Sequence, residues 1–332
     1  MHVATAGDRR RRRVGRAGRS AVLVGAALAL TFVSACGSSG GAEGEPSAAA
    51  PSAGASGAPQ QQGTRTLTVV ASTNVWGDVV SKVAGPDVQV RSIISDPNAD
   101  PHAYESTPAD AQAISSADLV VYNGGGYDEF VDKALGADPA SRGKAVEAFA
   151  LRPDQAQENE HVWFDPATVD AVARQVSDRL GRLEPAQARG LTDRADSFSG
   201  QVDQIQQRFG AIGQARPAQK GLSSEPVPFY LERAAGIQDA TPEDFSEAIE
   251  EETDPPAAAV AATDALLAGR GVNVLFFNPQ TESPVTQNLR TLAQGAGIPV
   301  VEVTETLPAG KDYLTWLSDY RTSIAGAVGA PQ

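Results

Sequence analysis

The sequence has 332 residues, with 27 basic and 41 acidic side chains and a formal net charge of −14 at pH 7. This acidic excess argues against nucleic-acid binding, which relies on clustered basic residues. Only one hydrophobic run approaches membrane length, and it lies near the N-terminus, so the composition excludes a multispan membrane protein.

The N-terminal residues resemble an export signal. Arg9 to Arg13 form a basic run, and an apolar stretch of 13 residues follows from Ala21 to Val33. That stretch is too short to span a bilayer but suits the core of a signal peptide. It ends at Val33-Ser34-Ala35-Cys36, and Cys36 is the only cysteine of the chain. Small residues before a lone cysteine resemble the lipobox of bacterial lipoproteins, so we predict a lipoprotein signal over 1–35 and a lipid on Cys36.

The alternative for Cys36 is an ordinary secretory signal followed by a free thiol. Residues 36–64 are mostly Gly, Ser, Ala, Pro and Gln, which predicts a flexible tether without a core. Without residues 1–35, which hold seven arginines and Asp8, 20 basic and 40 acidic residues remain, a net charge of −20. Such a surface keeps a soluble body away from anionic lipids and weakly favours cations nearby.

Residues 65–185 alternate between apolar, β-branched runs and helical patterns. We predict strands over 66–71, 88–94 and 119–122, with helices over 75–83 and 108–115. This alternation predicts a mostly parallel sheet covered by helices. Asp165-Pro166 marks a further helix start, because an acidic N-cap precedes a proline at the first helical position.

Residues 186–213 are polar except for a thin apolar stripe at Leu191, Phe198, Val202, Ile205 and Phe209. This pattern predicts a long, solvent-exposed helix that links two lobes.

Alternation resumes over residues 214–332. We predict strands over 272–277 and 298–303, and helices over 226–235, from 242, over 285–296 and over 313–328. The predicted fold class is therefore α/β, with two Rossmann-like lobes of mostly parallel strands joined by one long linking helix. Ligands are expected at the carboxyl ends of the strands that face the cleft.

Two histidines remain after removal of the signal segment, which carries His2. His102 follows a predicted strand in the turn Asp100-Pro101-His102, and His161 precedes the helix start at Asp165. Binding residues concentrate on such loops, so both imidazoles are candidate metal ligands. For either histidine alone, a hydrogen-bonded structural role is the more common interpretation, and it is the pair that points to a metal site.

Six segments in a characteristic order resemble one family. They are DPHAYE at 100–105, ADLVVYNG at 117–124, EHVWFDP at 160–166, SSEPVPFYLERAAG at 223–236, TPEDF at 241–245 and GIPVVEVTETLP at 297–308. They are similar to the solute-binding lipoproteins of zinc and manganese ABC importers, over about residues 66 to 320. The resemblance implies that one divalent ion is held between the lobes by four side chains.

The resemblance assigns the four metal ligands to His102, His161, Glu225 and Glu305. Zinc-type members commonly have histidine at the position of Glu225, whereas many manganese-type members have glutamate. Glu302 is an alternative to Glu305 because it lies only three residues away. The segment before Glu225 is also poorly apolar for the strand that the family has there.

The implied cargo is Mn²⁺ or Zn²⁺, with Fe²⁺ as a third candidate. Imidazole and carboxylate ligands suit all three, although intrinsic affinity favours zinc over manganese. The histidine-rich acidic loop that is frequent in zinc-specific members does not occur in this sequence. Protons compete for the same ligands, so affinity is expected to fall in acid.

The resemblance implies an extracytoplasmic, lipid-anchored binding protein, a monomer without enzymatic activity that delivers metal to an ABC permease in the membrane. Two other functions stay open. One is a surface adhesin with the same fold. The other is a metal-dependent enzyme, against which the absence of an HExxH motif, a nucleophile elbow and a P-loop argues.

Overall fold

The computed structural model describes residues 65–137 and 139–332. These residues lie in one compact unit, Gln62–Gln332. The predicted signal segment, the tether and Cys36 lie outside the described residues. None of the helices in the described ranges is both long and apolar enough to cross a membrane.

The first half of the fold is a four-stranded sheet in which every pairing is parallel. Its strands, in the spatial order β2-β1-β3-β4, are Leu67–Thr73 (β1), Val88–Ile94 (β2), Leu119–Tyr122 (β3) and Ala145–Glu147 (β4). The helices between them are Asn74–Ala84 (α1), Pro108–Ser116 (α2) and Glu129–Ala137 (α3). Parallel neighbours need crossover connections, and these helices provide them.

Two long helices follow, Pro166–Leu183 (α4) and Ala188–Ala215 (α5). At a rise of about 1.5 Å per residue, α5 is about 42 Å long. Its predicted apolar stripe is buried at all five positions. Helix α5 packs on α4 and α1 on one side. It also packs on Phe229–Ala235 (α6) and Tyr313–Val328 (α10), so it joins the two halves of the fold.

The second half repeats the layout, with strand order β6-β5-β7-β8 and only parallel pairings. Its strands are Lys220–Ser223 (β5), Gln238–Asp239 (β6), Val274–Phe277 (β7) and Val300–Glu302 (β8). Besides α6 and α10, its helices are Glu243–Glu250 (α7), Ala257–Ala268 (α8) and Pro284–Ala296 (α9). The predicted fold class is confirmed by these two parallel sheets and the helix between them.

The weakly apolar strand β5 has a packing explanation at Gly221. A Cβ atom there would lie 2.3 Å from Oε1 of Glu232 and 2.9 Å from the ring of Phe276. Only glycine leaves room for these two buried side chains. They fill the space beside Gly221 that a larger residue of the strand would occupy.

Hydrogen bonds between the first and second halves of the fold hold the two halves together. Asn74, at the start of α1, exchanges hydrogen bonds with the backbone of Leu307, at 3.1 and 2.9 Å. The buried hydroxyl of Tyr313 donates to the backbone oxygen of Trp163. Helix α10 therefore packs against helix α1 of the first half as well as against the second half to which it belongs. These contacts hold the two sheets at a fixed distance across the cleft.

Candidate metal centre

His102 lies in the loop between β2 and α2, at the carboxyl end of the sheet. Its backbone amide donates to Oδ1 of Asp100 at 2.9 Å, a local turn that sets the position of the residue. The ring makes an edge contact with Tyr127, with centroids 5.1 Å apart. About a fifth of the side chain is exposed, and Nε2 lies 3.3 Å from Oε2 of Glu305.

His161 precedes the short 3₁₀ turn Val162–Phe164 that leads into α4. Its side chain is fully buried between the rings of Tyr127 and Trp163. Nδ1 lies 3.1 Å from the side-chain oxygen of Asn159, which can only accept a hydrogen bond. Nδ1 therefore carries a proton, and Nε2 is the atom that faces the cleft.

Glu305 follows β8, and its side chain is fully buried. Oε1 accepts a hydrogen bond from Nδ2 of Asn278 at 2.9 Å, which leaves Oε2 directed at His102. Glu302, the alternative residue, is half exposed and pairs with Arg290 at 2.6 Å. The geometry therefore brings Glu305, and not Glu302, to the two histidines.

Glu225 lies in the loop after β5 and is 1% exposed. Oε2 accepts a hydrogen bond from the hydroxyl of Thr281 at 2.8 Å. The other oxygen, Oε1, is buried and has no hydrogen-bond partner among the described residues. Burial, followed by the charges of Glu305 and Glu250, raises the pKa of Glu225 to about 8.

The structure brings three of the four predicted ligands together and leaves the fourth, Glu225, outside that group. The ligand atoms of His102, His161 and Glu305 all lie within 4.8 Å of one another. Glu225 belongs to no such group in the described residues, although the charges of Glu305 and Glu250 contribute to its raised pKa.

Glu250 lies against both histidines, and the sequence analysis missed it. This last residue of α7 places Oε1 3.3 Å from Nε2 of His161 and 3.5 Å from Nε2 of His102. Glu160, Glu250 and His161 form a second group of potential ligands. In the sequence, Glu250 begins the run Glu250-Glu251-Glu252, which has the appearance of an ordinary solvated surface.

The carboxylates control the charge of the imidazoles. Burial by itself would lower the pKa of both histidines, but their acidic neighbours outweigh it. Glu305 and then Glu250 raise the pKa of His102 to about 10. Glu250 chiefly raises the pKa of His161 to about 9. In the metal-free protein, the two imidazolium groups together carry two positive charges. A divalent cation bound by two neutral imidazoles carries the same charge, so exchanging these two protons for the ion leaves the net charge unchanged.

The distances within the cluster fit donors around a single ion. Two donors bound about 2.1 Å from a tetrahedral ion lie about 3.4 Å apart. The contacts of His102 with Glu305 and of His161 with Glu250 are both 3.3 Å. Imidazole nitrogens with carboxylate oxygens are suitable ligands for Zn²⁺, Mn²⁺ and Fe²⁺.

Two of the known proteins that resemble the chain are metal-binding proteins of bacteria. The zinc-binding protein TroA of Treponema pallidum is 26% identical over 180 residues, 51% of this chain and 58% of TroA. The manganese ABC transporter substrate-binding lipoprotein PsaA of Streptococcus mitis is 25% identical over 189 residues, 52% of this chain and 61% of PsaA. The chain thus spans about three fifths of the length of these curated relatives.

Solved structures share the fold. The solved structure of TroA matches with a TM-score of 0.67 and 23% identity, and this structural match covers 80% of this chain and the whole chain of the solved structure. The laminin-binding protein Lmb of Streptococcus agalactiae, described as having adhesin and metal-transporting activity, matches with a TM-score of 0.65 and 20% identity. That match covers 80% of this chain and all of Lmb.

A family model described as "Zinc-uptake complex component A periplasmic" (ZnuA) matches residues 69–327. This range takes in both sheets, the linking helix and every residue of the candidate site. The chain belongs to the ZnuA family of zinc-uptake complex component A proteins.

Proposed function

We propose that this protein is the extracytoplasmic substrate-binding component of an ABC importer, which captures one divalent transition metal and delivers it to a membrane permease. The observation that carries the proposal is the convergence of His102, His161 and Glu305, whose ligand atoms lie within 4.8 Å of one another. Membership of the ZnuA family and the names of TroA and PsaA support the same function.

In this proposal, His102 and His161 provide two nitrogen ligands from the first half of the fold. Glu225 and Glu305 provide oxygen ligands from the second half. Mn²⁺ and Zn²⁺ are the main candidates for the cargo, and the ligand set also suits Fe²⁺. Two carboxylates and two neutral imidazoles neutralise a divalent ion, which makes its burial between the lobes tolerable.

The cellular setting follows from the first 64 residues. A lipid on Cys36 would tether the protein at the outer face of the cell membrane, and residues 37–63 would allow the metal-binding body to reach the permease. The lipoprotein relatives support this part of the proposal. The protein would act as a monomer.

Binding explains the buried ligand cluster better than the two alternatives do. A catalytic metal site keeps an open coordination position for substrate, whereas here four protein side chains would fill the coordination of a tetrahedral ion. Adhesion needs an exposed recognition surface, and a largely buried cluster of imidazoles and carboxylates does not contribute to one. Capture and release of a dication uses all of these groups.

The test is metal analysis of the full-length protein, followed by competition titration with Mn²⁺ and Zn²⁺. One ion per chain is expected, and Glu305→Gln should weaken binding by about tenfold or more, since even residues that only support a ligand cost that much. Glu302→Gln, three residues away and paired with Arg290, is the matched control and should bind as the wild type does. Failure of the wild type to bind either ion would overturn the proposal.

A further inference from the structure

We infer that Glu250 is an additional metal ligand and that it biases the site toward ions of high coordination number, manganese over zinc. This inference rests on the proposed function and specifies the cargo of the same site. Glu250 lies outside the four ligands that the family resemblance assigns.

The position of the Glu250 carboxylate is that of a ligand. Oε1 lies between the two Nε2 atoms, 3.5 Å from that of His102 and 3.3 Å from that of His161. These are the separations expected for donors that share one ion, about 3.4 Å. A side chain that only covered the site from outside would approach one histidine and not both.

Among the described residues, the two imidazoles are the only basic groups within ion-pairing distance of Glu250. Its side chain is 12% exposed, and neither carboxylate oxygen has a donor with hydrogen-bond geometry among the described residues. Nε2 of the fully buried His161, 3.3 Å from Glu250, and Oε2 of Glu305, 3.3 Å from Nε2 of His102, also lack one. A carboxylate is costly to bury unless a cation faces it, so these atoms together define a cation site.

The number of donors determines which ion benefits. Without Glu250, the four assigned ligands supply four donors, which satisfies tetrahedral Zn²⁺. Glu305 and Glu225 count once each, because Asn278 and Thr281 hold their other oxygens by hydrogen bonds. Neither oxygen of Glu250 has a hydrogen-bond partner in the described chain, so Glu250 raises the number of donors to five or six. Mn²⁺ prefers oxygen ligands and octahedral surroundings, so it gains more from the added carboxylate than Zn²⁺ does.

Because Glu250 lies at the end of a helix, we expect that it can be substituted without disturbing the fold. It is the last residue of α7, and Glu251 and Glu252 beyond it are exposed. Glu250→Gln keeps the shape of the side chain but removes the charge. Glu251→Gln makes the same chemical change one residue later, outside the cluster, and serves as the matched control.

The test compares Mn²⁺ and Zn²⁺ affinities of the full-length wild type, Glu250→Gln and Glu251→Gln by competition titration. Glu250→Gln should lose about tenfold or more for Mn²⁺, as expected for a residue at a metal centre, and clearly less for Zn²⁺. Glu251→Gln should lose neither. An equal loss for both ions, or no loss, overturns the inference.

Cobalt substitution gives a second, independent measurement. Co²⁺ absorbs more intensely in four-coordinate than in five- or six-coordinate sites, so Glu250→Gln should intensify its visible bands. Unchanged bands in a folded, cobalt-loaded variant would show that Glu250 is only a counter-ion of the imidazoles. Should Glu250→Gln fail to fold, Glu250→Asp, which keeps the charge but has a shorter reach, should show the same ordering of affinities. A wild type that binds neither metal would instead refute the proposed function.

Discussion

The side chain of Asn159 holds His161 at two points. Its oxygen accepts hydrogen bonds from the backbone amide and from Nδ1 of His161, at 3.0 and 3.1 Å. Its amide nitrogen donates to the backbone oxygen of Pro226 at 3.0 Å, next to Glu225 in the other half of the fold. Asn159 therefore fixes the tautomer of one candidate ligand and the loop that carries another.

Asn159→Ala should weaken metal binding by about 10- to 100-fold, the usual cost of removing a residue that orients a metal ligand. His161 would then be free to rotate or to carry its proton on Nε2, where the metal binds. Competition titration measures the loss. Asn288→Ala, at an exposed asparagine on α9, is the control, and a loss of the same size there would contradict the role given to Asn159.

Glu225→Ala should weaken metal binding by about tenfold or more, even though Glu225 is not grouped with the other three ligands in the described residues. The buried Oε1 has no partner in the described chain, and Thr281 holds Oε2 so that Oε1 stays available. Calorimetric titration measures the change. An affinity equal to that of the wild type would remove Glu225 from the site.

Metal binding at pH 7 should release about three protons per ion, because both imidazoles and the Glu225 carboxyl, whose pKa is about 8, must lose a proton to bind a metal. The pKa values of His102 and His161 in the metal-free protein are about 10 and about 9, so both rings are charged at pH 7. Affinity should rise as the pH is raised from 6 to 9. Titration in buffers of different ionisation enthalpy counts the protons, and release near zero would contradict the prediction.

The same two pKa values predict how the metal-free fold responds to alkali. A histidine pKa that folding raises adds stability below its unfolded value of about 6.5, and this contribution disappears as the pH rises through the folded value. The metal-free protein should therefore lose stability between pH 7 and pH 10. Urea unfolding measures this change, and an increase in stability over that interval would be inconsistent with the charged cluster.

Several elements and two candidate ligands follow from sequence patterns alone. The strand over 119–122 and the helix over 313–328 begin and end where the apolar patterns predict. His102 and His161 stand out because the chain has few histidines and both lie in strand-to-helix loops. Strands β4 and β6 have only three and two residues, too few for an alternating pattern to be seen.

Glu250 and helix α8 show what local patterns cannot provide. Nothing in the run Glu250-Glu251-Glu252 distinguishes the first glutamate, because its burial depends on how α7 packs against the histidine loops. Helix α8 is rich in alanine and apolar on most faces, so it lacks the one-sided stripe by which an amphipathic helix is identified. Tertiary packing decides both features.

Asp312 should stabilise the fold in two separable ways. As the N-cap of α10 it accepts a hydrogen bond from the backbone amide of Thr315 at 2.8 Å, and it pairs with Lys82 of α1 at 2.6 Å. Asp312→Ala removes both interactions and should cost about 1 kcal/mol, the usual value of an N-cap. Asp312→Asn keeps the cap and should cost only a few tenths, roughly 0.2–0.5 kcal/mol, because water screens this partly exposed pair.

Acid should reduce the contribution of Asp312. The hydrogen bond from Lys82, followed by that from Thr315, lowers the pKa of Asp312 to about 2, below the ordinary value of 3.8. A lowered carboxylate pKa stabilises the fold fully above the unfolded value, and the effect is lost as the pH falls toward the folded value. The free energy of unfolding in urea should therefore differ less between wild type and Asp312→Asn at pH 3 than at pH 7. A difference that grows in acid would mean that the Lys82–Asp312 pair does not stabilise the contact between α1 and α10.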